Sequence, residues 1–401
     1  MLDKELKIKQ KTIHNRVVFQ PMEGCDCNYD GSPSQLTENK YLSFAKSGAG
    51  TIWFEANAVC EEGRTNFRQM MLTDNNVDKF KDLIKSIKET SKEEFGYTPI
   101  IILQLTHSGR QSIKPMIAYR NEVYEEIRQM TDDCVVSDDY LDTLPEKYAH
   151  SALLAKEAGF DGVDIKSCHG YLFQELLSAF NRDGKYGGAF ENRIRLFLNC
   201  IKAVKEAIND DSFILASRFG VCDMVKKPYG FGTDENCNVD LHEPKKLIKE
   251  LENVGIDILN ITIGNPYYNP YVNRPYRIGI NGEKSPETPQ EGLKRFYEIE
   301  KELKSQFSNI IIVGSGLSYY RENLIEKAEE QLQNNVCDLV GFGRVTLAYP
   351  QFYNDYIKGQ FDYKKCCIAC SKCTKLMRLK QVAGCAVFNE YYKKLLEDCV
   401  K

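Results

Sequence analysis

Three side chains with complementary proton chemistry lie close together in the sequence: Lys166, His169 and Tyr171. A phenol keeps its proton at neutral pH, its ordinary pKa being ~10, and so can serve as a general acid. The imidazole two residues before it and the ammonium five before it are groups that hold or polarise an oxygen. A second set stands near the C-terminus, where Cys367-Ile-Ala-Cys-Ser-Lys-Cys373 repeats Cys-x-x-Cys-x-x-Cys and Cys385 offers a further thiol. That run opens as a bacterial ferredoxin's does. Cys367, Cys370, Cys373 and Cys385 read as ligands of an iron–sulfur cluster, as a structural zinc site, or as thiols of a metal-free tail packed over the remainder.

The chain holds 15 cysteines among 401 residues. The N-terminal Met1-Leu-Asp-Lys-Glu-Leu-Lys7 is charged, and no run of about 18 apolar residues follows anywhere. A cytoplasmic location away from membranes is therefore expected, with reduced thiols or metal ligands rather than disulfides. Hydrophobic residues make up 42% and charged residues 27%, enough for a full core under a solvated surface. Net charge is −4 and the basic residues are scattered, so no electrostatic footprint for nucleic acid is present.

The elements that must position these groups follow a βα rhythm. Short β-branched runs at 16–20, 50–55, 98–105, 162–166, 213–218, 257–262, 310–314 and 338–341 alternate with amphipathic stretches at 77–90, 148–158, 191–207, 242–253, 290–305 and 321–334. Eight such strands predict a closed (β/α)₈ TIM barrel over residues 1–360, with a short cysteine-rich extension at 361–401. No G-x-G-x-x-G follows any strand, which argues against an open dinucleotide-binding sheet. Two long loops, 111–145 and the tyrosine- and proline-rich 264–289, leave the C-terminal ends of strands, where barrel active sites are built.

Four segments, in order, resemble the Old Yellow Enzyme family: Asn15-Arg-Val-Val-Phe-Gln-Pro-Met22, Gln104-Leu-Thr-His-Ser-Gly-Arg110, His169-Gly-Tyr-Leu172 with Tyr186-Gly-Gly-Ala-Phe-Glu-Asn-Arg193, and Gly341-Phe-Gly-Arg344. The resemblance implies an FMN-binding barrel that passes hydride from NAD(P)H, or electrons from a carrier protein, to an activated carbon–carbon double bond. Substrates of that kind are enones, enoates, steroid enones and bilins. It places Pro21, Met22 and Gln104 at the flavin ring, Gln104 at the pyrimidine edge and Arg218 at N1, where a fixed positive charge tunes the cofactor. The phosphate is expected on Gly314-Ser-Gly316 and Gly343-Arg344, where glycine lets the backbone approach an anion. Lys166 and His169 would hold the activating carbonyl and Tyr171 would protonate carbon.

This sequence departs from the family at Lys166, where histidine is usual. Larger relatives resembling dienoyl-CoA reductase carry a [4Fe–4S] cluster at the cysteine run. Here the second cysteine gap is one residue shorter, and their added FAD/NAD(P) domain has no counterpart among these 401 residues. Two other readings stand beside the reductase: an oxidative amine demethylase similar to trimethylamine dehydrogenase, whose pocket would need an aromatic cage, and a non-catalytic metal- or flavin-binding redox sensor. Oligomeric state is not legible.

Overall fold

Runs such as Ile100-Ile-Ile-Leu-Gln-Leu-Thr106 are buried along their whole length. A parallel strand requires this when helices cover one face and the barrel interior fills the other. The computed structural model describes residues 1–400. An antiparallel hairpin, β1 (Leu6–Ile8) and β2 (Lys11–Ile13), precedes the barrel. The barrel strands are β3 (Val17–Phe19), β4 (Thr51–Ala58), β5 (Ile100–Thr106), β6 (Gly162–Ile165), β7 (Ile214–Cys222), β8 (Ile258–Ile263), β9 (Ile311–Gly314) and β10 (Leu339–Phe342). They pair in parallel in chain order, and β10 closes onto β3. All eight expected strands appear, with small shifts at their ends, in a (β/α)₈ barrel.

Two features differ from the sequence expectation. The helix before β6 runs Asp138–Glu157, capped by the Ser137 hydroxyl, which accepts from Tyr140 N at 3.1 Å. Pro145 reads as a helix breaker yet lies inside it, forfeiting one helix hydrogen bond while Leu141, Leu144 and Tyr148 bury the inner face. The excursion after β5 is correspondingly shorter than 111–145. The hairpin was not expected, because its strands are only three residues long and rich in lysine. Ile8 and Ile13 pack with Val18, Trp53, Ile100, Ile214 and Ile258, plugging the N-terminal mouth. Lys9 pairs with Asp257 at 3.0 Å and Lys11 with Asp161 at 3.0 Å, holding the plug in place.

Midway up the barrel, one buried carboxylate on β6 joins four strands. Asp164 accepts hydrogen bonds from Trp53 Nε1 at 2.9 Å, Gln104 Nε2 at 2.7 Å and the Arg218 backbone N–H at 2.6 Å. Burial pushes Asp164 above the usual carboxylate range, and these donors together with the Arg218 charge draw it back. Replacing Asp164 with leucine would orphan three buried donors, each worth about 1–3 kcal/mol. Asp164→Leu should lower unfolding free energy by roughly 3 kcal/mol or more, read by urea denaturation. A loss under about 1 kcal/mol would remove Asp164 from this role.

After β10 the chain turns back over the barrel's C-terminal end. Cys366 is buried in the main core. Leu376, Ala386 and Leu396 form a small cluster of their own between the helices Lys372–Arg378 and Glu390–Val400. The segment is tied down where Ala383 N–H donates to Gly24 O at 2.6 Å, Arg274 Nη1 to Thr374 Oγ1 at 2.7 Å and Arg378 Nη2 to Pro266 O at 3.1 Å.

Candidate active site

The loops after the barrel strands and the docked C-terminal segment enclose a cavity of about 680 Å³, within the range of small-molecule sites. Pro21, Met22, Gln104, Lys166, His169, Tyr171, Arg218, Ser315, Gly316, Gly343 and Arg344 all line it. A hollow of about 730 Å³ between the outer helices His242–Val254 and Pro289–Gln306 contains none of them.

The floor is set by side chains whose orientation the barrel dictates. An ionised carboxylate only accepts, so the Gln104 amide nitrogen must face Asp164, and its carbonyl oxygen is left for the cavity. Beside it, Gln20 donates to Asn260 Oδ1 at 3.0 Å and receives Asn260 Nδ2 at 2.7 Å, tying β3 to β8.

The chain leaves β6 through a tight turn. His169 has φ +65° and Gly170 φ +69°. The left-handed conformation costs a residue with a Cβ about 1 kcal/mol or more, and it clusters at functional sites. Gly170 tolerates no side chain, since a Cβ there would collide with the Asn265 amide. The turn brings Lys166 back over Tyr171, with Nζ 3.8 Å from the ring centroid. Burial, reinforced by Arg218 and Lys166, pushes His169 well below its ordinary value, so the imidazole is neutral at pH 7. Burial and then Glu23 and Tyr267 push the Tyr171 hydroxyl well above 10. Its oxygen lies 3.4 Å from that of Tyr267.

Glu23, Tyr267 and Arg274 also line the cavity and were not anticipated. Glu23 directly follows Pro21-Met22, and only its position at a strand's C-terminal end marks it in the sequence. Burial raises its carboxyl; Lys166, Thr65 and Tyr171 pull it back. Its loop is held by a buried ion cluster, in which Lys40 Nζ meets Asp26 at 2.9 Å and Glu55 at 2.5 Å. Glu55 also accepts the Gly24 N–H at 2.6 Å.

The expected phosphate segment needs correction at two residues. Gly314 does not reach the cavity, since a Cβ there would press on Cys337, Glu300 and Gln331; it is a packing glycine. Ser315 spends its N–H on Glu300 at 2.7 Å and its hydroxyl on Ile261 O at 2.8 Å, so it has neither free for an anion. Gly316, at φ +91°, remains with Gly343 and Arg344.

The remaining geometry fits a flavin mononucleotide. Arg218 Nε and Arg344 Nη1 are buried without a hydrogen-bond partner among the described residues, and both side chains line this one cavity. Buried donors left unpaired are costly, and a ligand rich in carbonyl and phosphate oxygens satisfies them.

The cysteines are less complete. Among the described residues no three His, Cys, Asp or Glu side chains gather closely enough to hold a metal ion. Cys367 and Cys385 each sense Cys370 and Cys373 electrostatically, so the four share one neighbourhood without forming a ligand set.

A model of the NADH:flavin oxidoreductase / NADH oxidase family matches residues 2–361. The chain is 27% identical over 380 residues to an NADH oxidase of Thermoanaerobacter brockii, covering 92% of this chain but about half, 52%, of that relative. It is 27% identical over 364 residues to an NADPH dehydrogenase of Listeria welshimeri, covering 88% of this chain and 92% of that one. Among solved structures it is similar to 2-naphthoyl-CoA reductase in complex with 2-naphthoyl-CoA, with TM-score 0.80, 19% identity, and coverage of 96% of this chain and 56% of that one. It is also similar to the Old Yellow Enzyme homologue from Zymomonas mobilis, with TM-score 0.65, 21% identity, and coverage of 89% and 92%.

Arg218→Met keeps the side chain's bulk and removes its charge. It should weaken FMN binding at least about tenfold, a difference of 1.4 kcal/mol, measured by flavin fluorescence on titrating the apoprotein. Undiminished affinity would take Arg218 out of the flavin site.

Proposed function

This chain belongs to the NADH:flavin oxidoreductase / NADH oxidase family, is therefore an NAD(P)H:flavin oxidoreductase, and, we propose, works as an ene-reductase on a conjugated carbonyl compound. The observation that carries the reading is the convergence of a neutral imidazole, an ammonium and a protonated phenol on one wall of the cavity that Gln104 and Arg218 line. FMN, held at Gln104, Arg218, Gly316, Gly343 and Arg344 with Pro21 and Met22 against the ring, supplies hydride when bound.

The chain's own residues do the rest. His169 Nε2, neutral and unpartnered, donates to the carbonyl oxygen, and Lys166 adds positive charge beside it, drawing electron density from the double bond. Tyr171 Oη delivers the proton to the carbon next to the carbonyl. A cation over the ring favours the phenolate and so eases proton release, countering the burial that holds the proton on. Glu23 and Tyr267 lie beside the hydroxyl to restore its proton.

Against the amine-demethylase reading, Lys166 covers the Tyr171 ring face, which is then not open to an ammonium substrate. A non-catalytic sensor has no use for a positioned acid.

Tyr171→Phe should slow reduction of an enone by roughly 10²–10⁴-fold while NADPH reduces the flavin at an unchanged rate, both followed by stopped flow. Neither His169 nor Tyr171 should contribute a limb to the wild-type enone step between about pH 6 and about pH 9, because His169 is already neutral below that window and Tyr171 keeps its proton above it; any limb there belongs to Lys166, which burial lowers, or Glu23, which burial raises. Equal enone rates in the two proteins would exclude Tyr171 as the acid.

Residues 361–400 form an outer wall of the site that, on this proposal, also binds metal. A [4Fe–4S] cluster at Cys367, Cys370, Cys373 and Cys385 is supported by their spacing and shared neighbourhood. The backbone adds support, with the Ala369 N–H donating to Cys367 Sγ at 3.4 Å. Anaerobically purified protein should contain iron and acid-labile sulfide at about four each per chain. Zinc alone would indicate a tetrahedral structural site, and absence of both metals would reduce the segment to a wall.

A further inference from the structure

We propose that the cavity's rim is an anion-binding collar and that the physiological substrate is an acid, with its conjugated carbonyl deep in the site and a carboxylate or phosphate at its outer end. This rests on the ene-reductase reading and adds the substrate's charge to it.

Beyond Arg218 and Arg344, five cations line the cavity: the exposed Arg68, Arg128, Arg378 and Lys380 and the half-buried Arg274. They come from loops after three different strands and from the C-terminal segment, so they encircle the opening rather than lying along one helix. None makes an ion pair among the described residues. Among the described residues Glu23 is the only acid lining the cavity, and it is engaged with Lys166, Thr65 and Tyr171. The chain as a whole carries net charge −4, so this cluster runs against its overall balance.

The cations also act on one another. Burial and then the charges of Arg344 and Arg378 bring Arg274 down to about 10, and its Nε is buried with no partner. Arg378 is held in place by Pro266 O at 3.1 Å and by the Tyr267 ring, 4.3 Å from its guanidinium. Arginines fixed in this way and left without a counter-ion form a preorganised anion site. Arg68, Arg128, Arg378 and Lys380 are exposed whereas Lys166 and Tyr171 are buried, so a carboxylate or phosphate held by them is a handle and not the activating group.

The nucleotide's phosphates are a second source of negative charge, and the test separates the two. The probes are 4-(3-oxobut-1-enyl)benzoic acid and its methyl ester, which share one enone and differ only in the remote carboxylate. Each is titrated into the FMN-loaded protein and read by the flavin difference spectrum, which reports binding whether or not turnover follows. The acid should bind about tenfold or more tightly than the ester at low ionic strength, and the gap should shrink in ~1 M salt, where charges are screened beyond about 3 Å. Arg128→Glu and Lys380→Glu change exposed side chains that have no hydrogen bond or ion pair among the described residues. Together they should abolish or reverse the preference while NADPH reduces the flavin as before. Equal affinities, no perturbation by either probe, or a preference that survives both substitutions overturns the proposal. So does a loss confined to NADPH affinity, which assigns the collar to the dinucleotide. If the acid binds preferentially yet neither probe is reduced, the collar stands and the ene-reductase reading fails.

Discussion

A carboxylate buried inside a barrel must be met by donors or it destabilises the fold, and Asp164 is met by groups from three other strands. The requirement works in both directions. Asp164 needs Trp53, Gln104 and the Arg218 backbone, and in being satisfied it fixes which way the Gln104 amide points and where β7 presents Arg218. The polar face offered to the flavin is thus a consequence of satisfying one charge in the core. Side chains locked by packing and by a second layer of hydrogen bonds hold the geometry that binding requires.

Above that floor, the site is assembled from parts that would not hold alone. The His169-Gly170 turn adopts a conformation unfavourable for a residue with a side chain, and Asn265 beside Gly170 leaves it little room to relax. The Lys40, Asp26 and Glu55 cluster fixes the loop that carries Glu23. The same loop accepts the hydrogen bond from Ala383 that seats the C-terminal segment. One ion cluster therefore couples the proton-handling wall to the outer wall of the cavity.

The barrel was legible because parallel strands buried on both faces leave short β-branched runs, and these recur eight times between amphipathic helices. The three-residue hairpin was not legible, since its lysines conceal the two isoleucines that plug the barrel. Pro145 obscured the first half of a helix whose other residues support it. At the site, Gln104, His169, Tyr171 and Arg218 were readable from motifs, and the structure brings them to one cavity. Gly314 and Ser315 had the right composition for a phosphate loop, but Glu300, fifteen residues upstream of Ser315, claims the amide. Glu23 and the rim arginines come from separate loops and become a group only when the barrel closes.

The direction of the chemistry is the central claim, and one anaerobic mixing experiment tests it. Protein whose FMN has been reduced by NADPH is mixed with 4-phenyl-3-buten-2-one, and flavin absorbance is followed with excess nucleotide removed. Absorbance should return as one molecule of saturated ketone forms per flavin. Flavin that stays reduced in the presence of the enone, while oxidised protein is bleached by trimethylamine without NADPH, would contradict it.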